Sequence, residues 1–218
     1  VWSPVYVREP QLDASFDGRI EVENRYHFTD IGQFSFLYEF VSYAGLTETV
    51  APNTVSGMTG VSLAPGAKGF IKIPLPDNWR EYDALRLKVL SQDNDEIVGW
   101  SWPVAAPEVI AGRLLEGRPK TVTEQEAEKL VKKLNPRIVG SPLPKDAKVT
   151  WSLEKGSLRV DYQYLLDGDY DYAGVGLTYP EKGVTGATLR ANGPYRVWKN
   201  RLKGPGFGVF YKEYNNTI

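Results

Sequence analysis

A chain of 218 residues with 26 Lys and Arg against 27 Asp and Glu carries a formal net charge of −1, which offers no basic footprint for nucleic acid or an anionic membrane surface. It has no cysteine, so disulfides, thiolate metal sites and cysteine nucleophiles are excluded. No apolar run approaches the roughly 20 residues of a spanning helix, and the length suits two ordinary domains or one large all-β unit.

The amino end, VWSPVYVREP, lacks the basic and then apolar layout of a signal peptide and reads as mature sequence or a cut piece. Ile20, Val22, Asn24, Tyr26 and Phe28 then alternate with mostly polar residues, the period-two pattern of a half-buried strand that would include His27. Turn formers at Thr29 to Gln33 predict a hairpin into a second strand, with Phe34, Phe36, Tyr38 and Phe40 inward and Ser35, Leu37 and Glu39 outward. Shorter runs follow at Val61 and Leu63, Phe70 to Ile73, Leu85 to Val89, and Val98 to Trp102, each bounded by turn signals. About seven short strands at this spacing predict an immunoglobulin-like β-sandwich over residues 1–107, of the disulfide-free kind.

Residues 108–148 read as a linker holding one short helix at 123–134. Ala127, Leu130, Val131 and Leu134 have helical spacing, Thr123 and Glu126 can form a capping box, and Pro136 ends the element. Alternation returns at Leu158 to Tyr164, Val175 to Tyr179 and Phe207 to Tyr211, predicting a second β-sandwich over 149–218. The fold class is therefore all-β.

Few residue patterns carry chemistry. DGDYDY sets Asp167, Asp169 and Asp171 at alternate positions, but a calcium loop needs Gly and Glu where Tyr172 and Thr178 stand, so a solvated turn is the reading and no metal is expected. His27, the single histidine, cannot head a zinc site or a serine triad without partners. GPGFG lacks the Lys-Ser/Thr of a phosphate loop and reads as a loop entering a strand, and NNT at 215–217 is a formal glycosylation acceptor. Six Trp and 13 Tyr supply flat rings on which sugars stack, although Trp100, Trp102 and Trp151 lie in strand patterns and are expected to fill cores. A glycosidase needs two carboxyl groups converging on one site, and nothing in the sequence singles out a pair.

Three stretches, RIEVENRYHFTDIGQFSFLYEF, VSLAPGAKGFIKIPLP and IVGWSWPVA, resemble in order and spacing the immunoglobulin-like domain that follows the catalytic barrel in β-galactosidases of glycoside hydrolase family 2. LRANGPYRVWKNRLKG is similar to the motif of that family's last domain, approximately Trp-x-Gly-x-Gly-Pro-x-Glu-x-Tyr-x-Asp-Arg. Gly193, Pro194 and Arg201 match it, Trp198 takes the Tyr place, and Leu189, Arg196 and Asn200 depart from it. The resemblance implies a carboxy-terminal piece with part of the family's last sandwich, an upstream barrel in the same polypeptide that holds the catalytic glutamates, a glycan substrate, and the option of a homo-oligomer. It implies no catalytic residue, cofactor, metal, nucleic acid or membrane for these residues, and a bacterial periplasmic or extracellular setting. Two readings of the motif stay open. Gly193 and Pro194 set a turn that Trp198 and Arg201 anchor, with Arg201 more buried than Arg196, or Tyr195 or Trp198 stacks on sugar while Arg196, Lys199 and Asn200 supply hydrogen bonds. A stand-alone carbohydrate-binding or adhesion module is the second functional class.

Overall fold

A computed structural model describes residues 3–43, 51–115, 121–154, 156–193 and 206–215. The chain divides into two compact units, Val1–Leu114 with Thr188–Lys212, and Leu115–Ala187 with Glu213–Ile218.

Seven strands build most of the first unit: β1 (Val5–Val7), β2 (Arg19–Asn24), β3 (Ser35–Ser42), β4 (Asn53–Thr59), β5 (Lys68–Lys72), β6 (Ala84–Leu90) and β7 (Glu96–Pro103). They form two antiparallel sheets, ordered β1-β2-β5 and β4-β3-β6-β7, which is an immunoglobulin-like sandwich with its fourth strand beside the third. Val5, Ile20, Val22 and Ile71 from one sheet meet Phe36, Phe40, Leu85 and Leu87 from the other in a single hydrophobic cluster. The alternation predicted for β3 is observed: Phe36, Tyr38 and Phe40 are buried, Phe34 packs at the margin of the cluster, and Ser35, Leu37 and Glu39 are half-exposed on the outer face. One apolar face of a strand is enough to fix its orientation, because a slip of one residue would exchange the two sets.

Three expectations are corrected. β2 ends at Asn24, not Phe28. The Asn24 side chain donates to the Thr29 and Leu63 carbonyls at 2.8 and 2.7 Å and accepts the Tyr26 N–H at 2.9 Å, which turns the chain away from the ladder. His27 therefore lies in an exposed bend and Phe28 is 97% exposed. The link from β2 to β3 is not a hairpin, since the two strands belong to different sheets and Asp30 caps a 3-10 turn at Ile31–Gln33 between them. Val61 and Leu63 form no strand: the Leu63 carbonyl is taken up by the Ile31 N–H and the Asn24 amide, while both side chains still pack on the core.

Gly18 occupies the left-handed region, with φ of 87°, and a Cβ there would stand 2.3 Å from the Ile73 carbonyl oxygen. Gly18 also accepts the Ile73 N–H at 2.9 Å, so the backbone cannot retreat without losing that bond. Gly18→Ala is expected to cost more than about 1 kcal/mol, read as a lowered denaturation midpoint. An unchanged midpoint would show that this approach does not constrain the sandwich.

Among the described residues two helices follow, where one was expected: α1 (Pro107–Leu115) and α2 (Glu124–Leu134). In α2 the predicted capping box forms, with the Glu126 N–H donating to Thr123 Oγ1 at 3.3 Å and the Thr123 N–H donating to Glu126 Oε2 at 2.9 Å. Asn135 closes the helix in the left-handed conformation, with φ of 43°. Residues 108–148 are thus more than a linker, because they also hold β8 (Arg137–Ser141) and the start of β9 (Lys145–Glu154).

The remaining strands are β10 (Ser157–Leu165), β11 (Tyr172–Gly176), β12 (Gly186–Gly193) and β13 (Gly206–Glu213). Among the described residues they pair as three two-stranded ladders, β9 with β10, β8 with β11, and β12 with β13. Leu177 and Tyr179 fall beyond β11, and Trp151, expected in a core, is 37% exposed on β9. The expected division at 149–218 differs from the observed one, since 188–212 groups with the first sandwich. The cause lies in long-range contacts of Arg190 and Phe207 that local periodicity does not encode.

Candidate functional site

The outer face of the four-stranded sheet carries polar rows set by register. Glu39, Arg86 and Ser101 stand side by side across β3, β6 and β7, and Leu37, Lys88 and Gly99 form the next row. The first residues of β13 lie over this face. Ser101 Oγ donates to the Phe207 carbonyl at 2.7 Å, Tyr43 Oη donates to the same oxygen at 3.1 Å, and Arg86 Nη2 donates to Tyr43 Oη at 3.0 Å. The Tyr43 ring meets Phe207 edge-on at 6.2 Å, with the guanidinium carbons of Arg86 and Arg190 each 5.4 Å from its centroid.

Beneath this contact sits a buried charge centre. Asp83, 2% exposed, accepts the Tyr43 backbone N–H at 2.7 Å and Arg113 Nη1 at 3.0 Å, and pairs with Arg190 Nη1 at 3.8 Å. The Arg190 side chain is itself 4% exposed. A carboxylate is tolerated at such depth only when paired and hydrogen-bonded, and here two cations and an amide meet that requirement. The centre joins the end of β3, the start of β6, α1 and β12, and so holds the returning strands against the sheet.

Beside it runs an open groove of about 370 Å³, lined by Arg86, Lys88, Glu96, Trp100, Phe207 and Phe210, with glycine backbone at Gly99, Gly206 and Gly208. Lys88 Nζ and Glu96 Oε2 are 2.9 Å apart, whereas the Trp100 ring, opposite Leu87, lies on the core side of β7 and stacks on Trp102 with centroids 6.4 Å apart and planes within 5°. The Phe207 and Phe210 rings, flanked by a guanidinium, an ammonium and a carboxylate, suit a polar ring-shaped ligand: the aromatics take its apolar face, and the charged groups take its hydroxyl or carboxyl edges. Glu96 is engaged by Lys88, an arrangement that favours binding over proton transfer.

Of the residues expected from the motif, Gly193 is buried, and a Cβ there would stand 3.1 Å from the Phe210 ring. Pro194, Tyr195, Arg196, Trp198, Lys199, Asn200 and Arg201 lie outside the described residues. The described residues on either side of that stretch, Gly193 and Gly206, both line the groove. Asp83, Tyr43, Arg86, Arg113 and Arg190 had no individual signal in the sequence, because what joins them is separation along the chain.

Other acidic residues point elsewhere. Asp167 binds Lys145 at 2.9 Å and Asp171 accepts from Ser141 Oγ at 3.1 Å, so these two DGDYDY carboxylates serve separate partners. Among the described residues no three His, Asp or Glu side chains gather as a metal would require. Asp13, Asp17 and Glu23 are held below the ordinary carboxyl range, chiefly by hydrogen bonds from the Ser15 side chain, the Arg19 backbone and the Arg25 side chain respectively. That direction is opposite to the raised pKa a glycosidic proton donor needs.

No family model matches the chain, and no curated protein does.

Proposed function

We propose that this chain is a non-catalytic, post-barrel region of a β-galactosidase-like glycoside hydrolase, in which a barrel of the same polypeptide performs the chemistry on a β-galactoside-containing glycan. The observation that carries the reading is that the three stretches on which the resemblance rests contain β2, β3, β5 and β7 of one seven-stranded sandwich. The Asp83 centre adds support, since it commits that sandwich's outer face to holding a returning strand pair, a scaffold's task.

On this reading the purified chain releases nothing above a buffer blank from aryl β-galactosides or β-glucuronides between about pH 4 and 8, the span over which glycosidase carboxyl pairs work. Turnover that persists through repurification and falls on mutating a single Asp or Glu of this chain would place an active site within it and end the proposal.

The groove favours a second reading, a carbohydrate-binding module, because it combines aromatic rings with charged hydrogen-bonding groups. Titration of intrinsic fluorescence with galactose, glucuronate and their oligomers tests it. Saturable quenching that disappears in Phe210→Ala supports the module, and a flat response at every sugar removes it.

A further inference from the structure

The ladder of β9 and β10 is two-sided. Leu153 faces Leu158, Trp151 faces Val160 and Val149 faces Tyr162 on one side, while Ser152 with Arg159, Thr150 with Asp161, and Lys148 with Gln163 occupy the other. The apolar side is only half covered: α2 and β8 approach the ladder, yet none of these six side chains is buried. Two strands alone make a marginal sheet, and each strand keeps an edge of unpaired backbone groups. Among the described residues β10 pairs with β9 alone.

We propose that β10 is a dimerisation edge, at which two copies of this chain pair antiparallel about a twofold axis through Val160 to give one four-stranded sheet, β9-β10-β10-β9. The sequence of β10, SLRVDYQYL, is self-complementary about that residue. Arg159 meets Asp161 of the second copy, Leu158 meets its Tyr162, and Ser157 meets its Gln163, so each charge stands opposite its counterion and the apolar pair falls on the apolar side. Neighbouring registers fail on charge or on face. An axis through Arg159 or Asp161 sets a like charge against itself, which is destabilising in a cross-strand pair. An axis between residues would bring the apolar side of one copy beside the polar side of the other. Within one chain Arg159 already bonds Glu154 and Asp161, each at 2.8 Å, but its side chain is 54% exposed, and such surface pairs contribute little. Pairing of copies instead closes the β10 edge, pairing its free backbone groups and setting Leu158 beside the partner copy's Tyr162 in a cross-strand contact.

The experiment uses the whole chain. Light scattering on a sizing column should give twice the chain mass for the wild type. Arg159→Asp should lose the dimer, because two acidic residues then face each other, and the double exchange R159D/D161R should recover it. Circular dichroism of each variant separates loss of pairing from loss of fold. A readout independent of these substitutions exploits the absence of native cysteine. Val160→Cys lies beside its own copy, within cross-strand Cβ distance, and should cross-link on mild oxidation, whereas Thr150→Cys, on the far strand of each ladder, should not. A monomeric wild type, a dimer that Arg159→Asp leaves intact, a folded double exchange that stays monomeric, or equal cross-linking at both cysteines would each overturn the proposal.

Discussion

Replacing Asp83 by Ala is expected to lower the melting temperature by about 10 °C, from a cost of about 3–5 kcal/mol for breaking a buried ion pair and roughly 2–4 °C per kcal/mol in a chain of this size. The carboxylate is 2% exposed, accepts from the Tyr43 N–H and from Arg113, and forms an ion pair with Arg190. Its removal leaves the Arg190 guanidinium, 4% exposed, without this counterion and the Tyr43 amide without its acceptor. The Tyr43 amide then loses its acceptor at depth and Arg190 a buried counter-charge, and this desolvation, more than the attraction lost, makes the effect large. Asp83→Asn keeps an acceptor for the amide but not the charge, and should fall between. The control is Asp167→Ala, which removes a pair to Lys145 with both side chains 64% exposed and should shift stability by less than about 1 kcal/mol. Thermal denaturation followed by circular dichroism checks the order. Equal melting temperatures for the Asp83 and Asp167 variants would mean that the buried centre does not hold the returning strands.

The same centre explains what the sequence could reveal and what it could not. β3 was legible because one face is deeply buried and period-two alternation records that burial directly; α2 was legible because its cap, apolar stripe and stop are all local. β4 was not, since NTVSGMT is an edge strand with no buried residue and therefore no alternation. The end of β2 was hidden because Asn24 sits in phase with the apolar positions while its side chain turns the backbone out of the sheet. The groove was hidden for another reason. Its lining combines register neighbours on β6 and β7 with residues more than 100 positions later, and the hydrogen bond from Ser101 to Phe207 that joins them leaves no trace in either segment. Of the motif that the sequence did bring forward, Gly193 falls on the groove and the following residues lie outside those described. A single sequence thus records which face of a strand is buried far better than which distant strand covers the other face.

Phe40→Ala carries the second large effect, about 3–5 kcal/mol, the range for emptying a buried aromatic position. Phe40 has no solvent exposure, lies opposite Val55 on β4 and Leu85 on β6, and packs its ring 5.8 Å from Tyr82 and 6.4 Å from Tyr38 by centroids. Truncation removes the transferred apolar area and leaves a cavity that two sheets, fixed by their ladders, cannot close. Phe40→Leu refills most of that space and should cost less than about half as much, since near-volume hydrophobic exchanges are tolerated. Glu39, one residue earlier, faces outward opposite Arg86 and Ser56, so Glu39→Ala should change stability by less than about 1 kcal/mol. Urea denaturation followed by the fluorescence of Trp79 and Trp102, both buried in the same cluster, measures all three. The expected order of midpoints is Glu39→Ala, then Phe40→Leu, then Phe40→Ala, with the denaturant slope unchanged because the folded surface is the same. If Glu39→Ala proved as damaging as Phe40→Ala, the two faces of β3 would have to be exchanged, and with them the register that sets Arg86 and Ser101 along the groove.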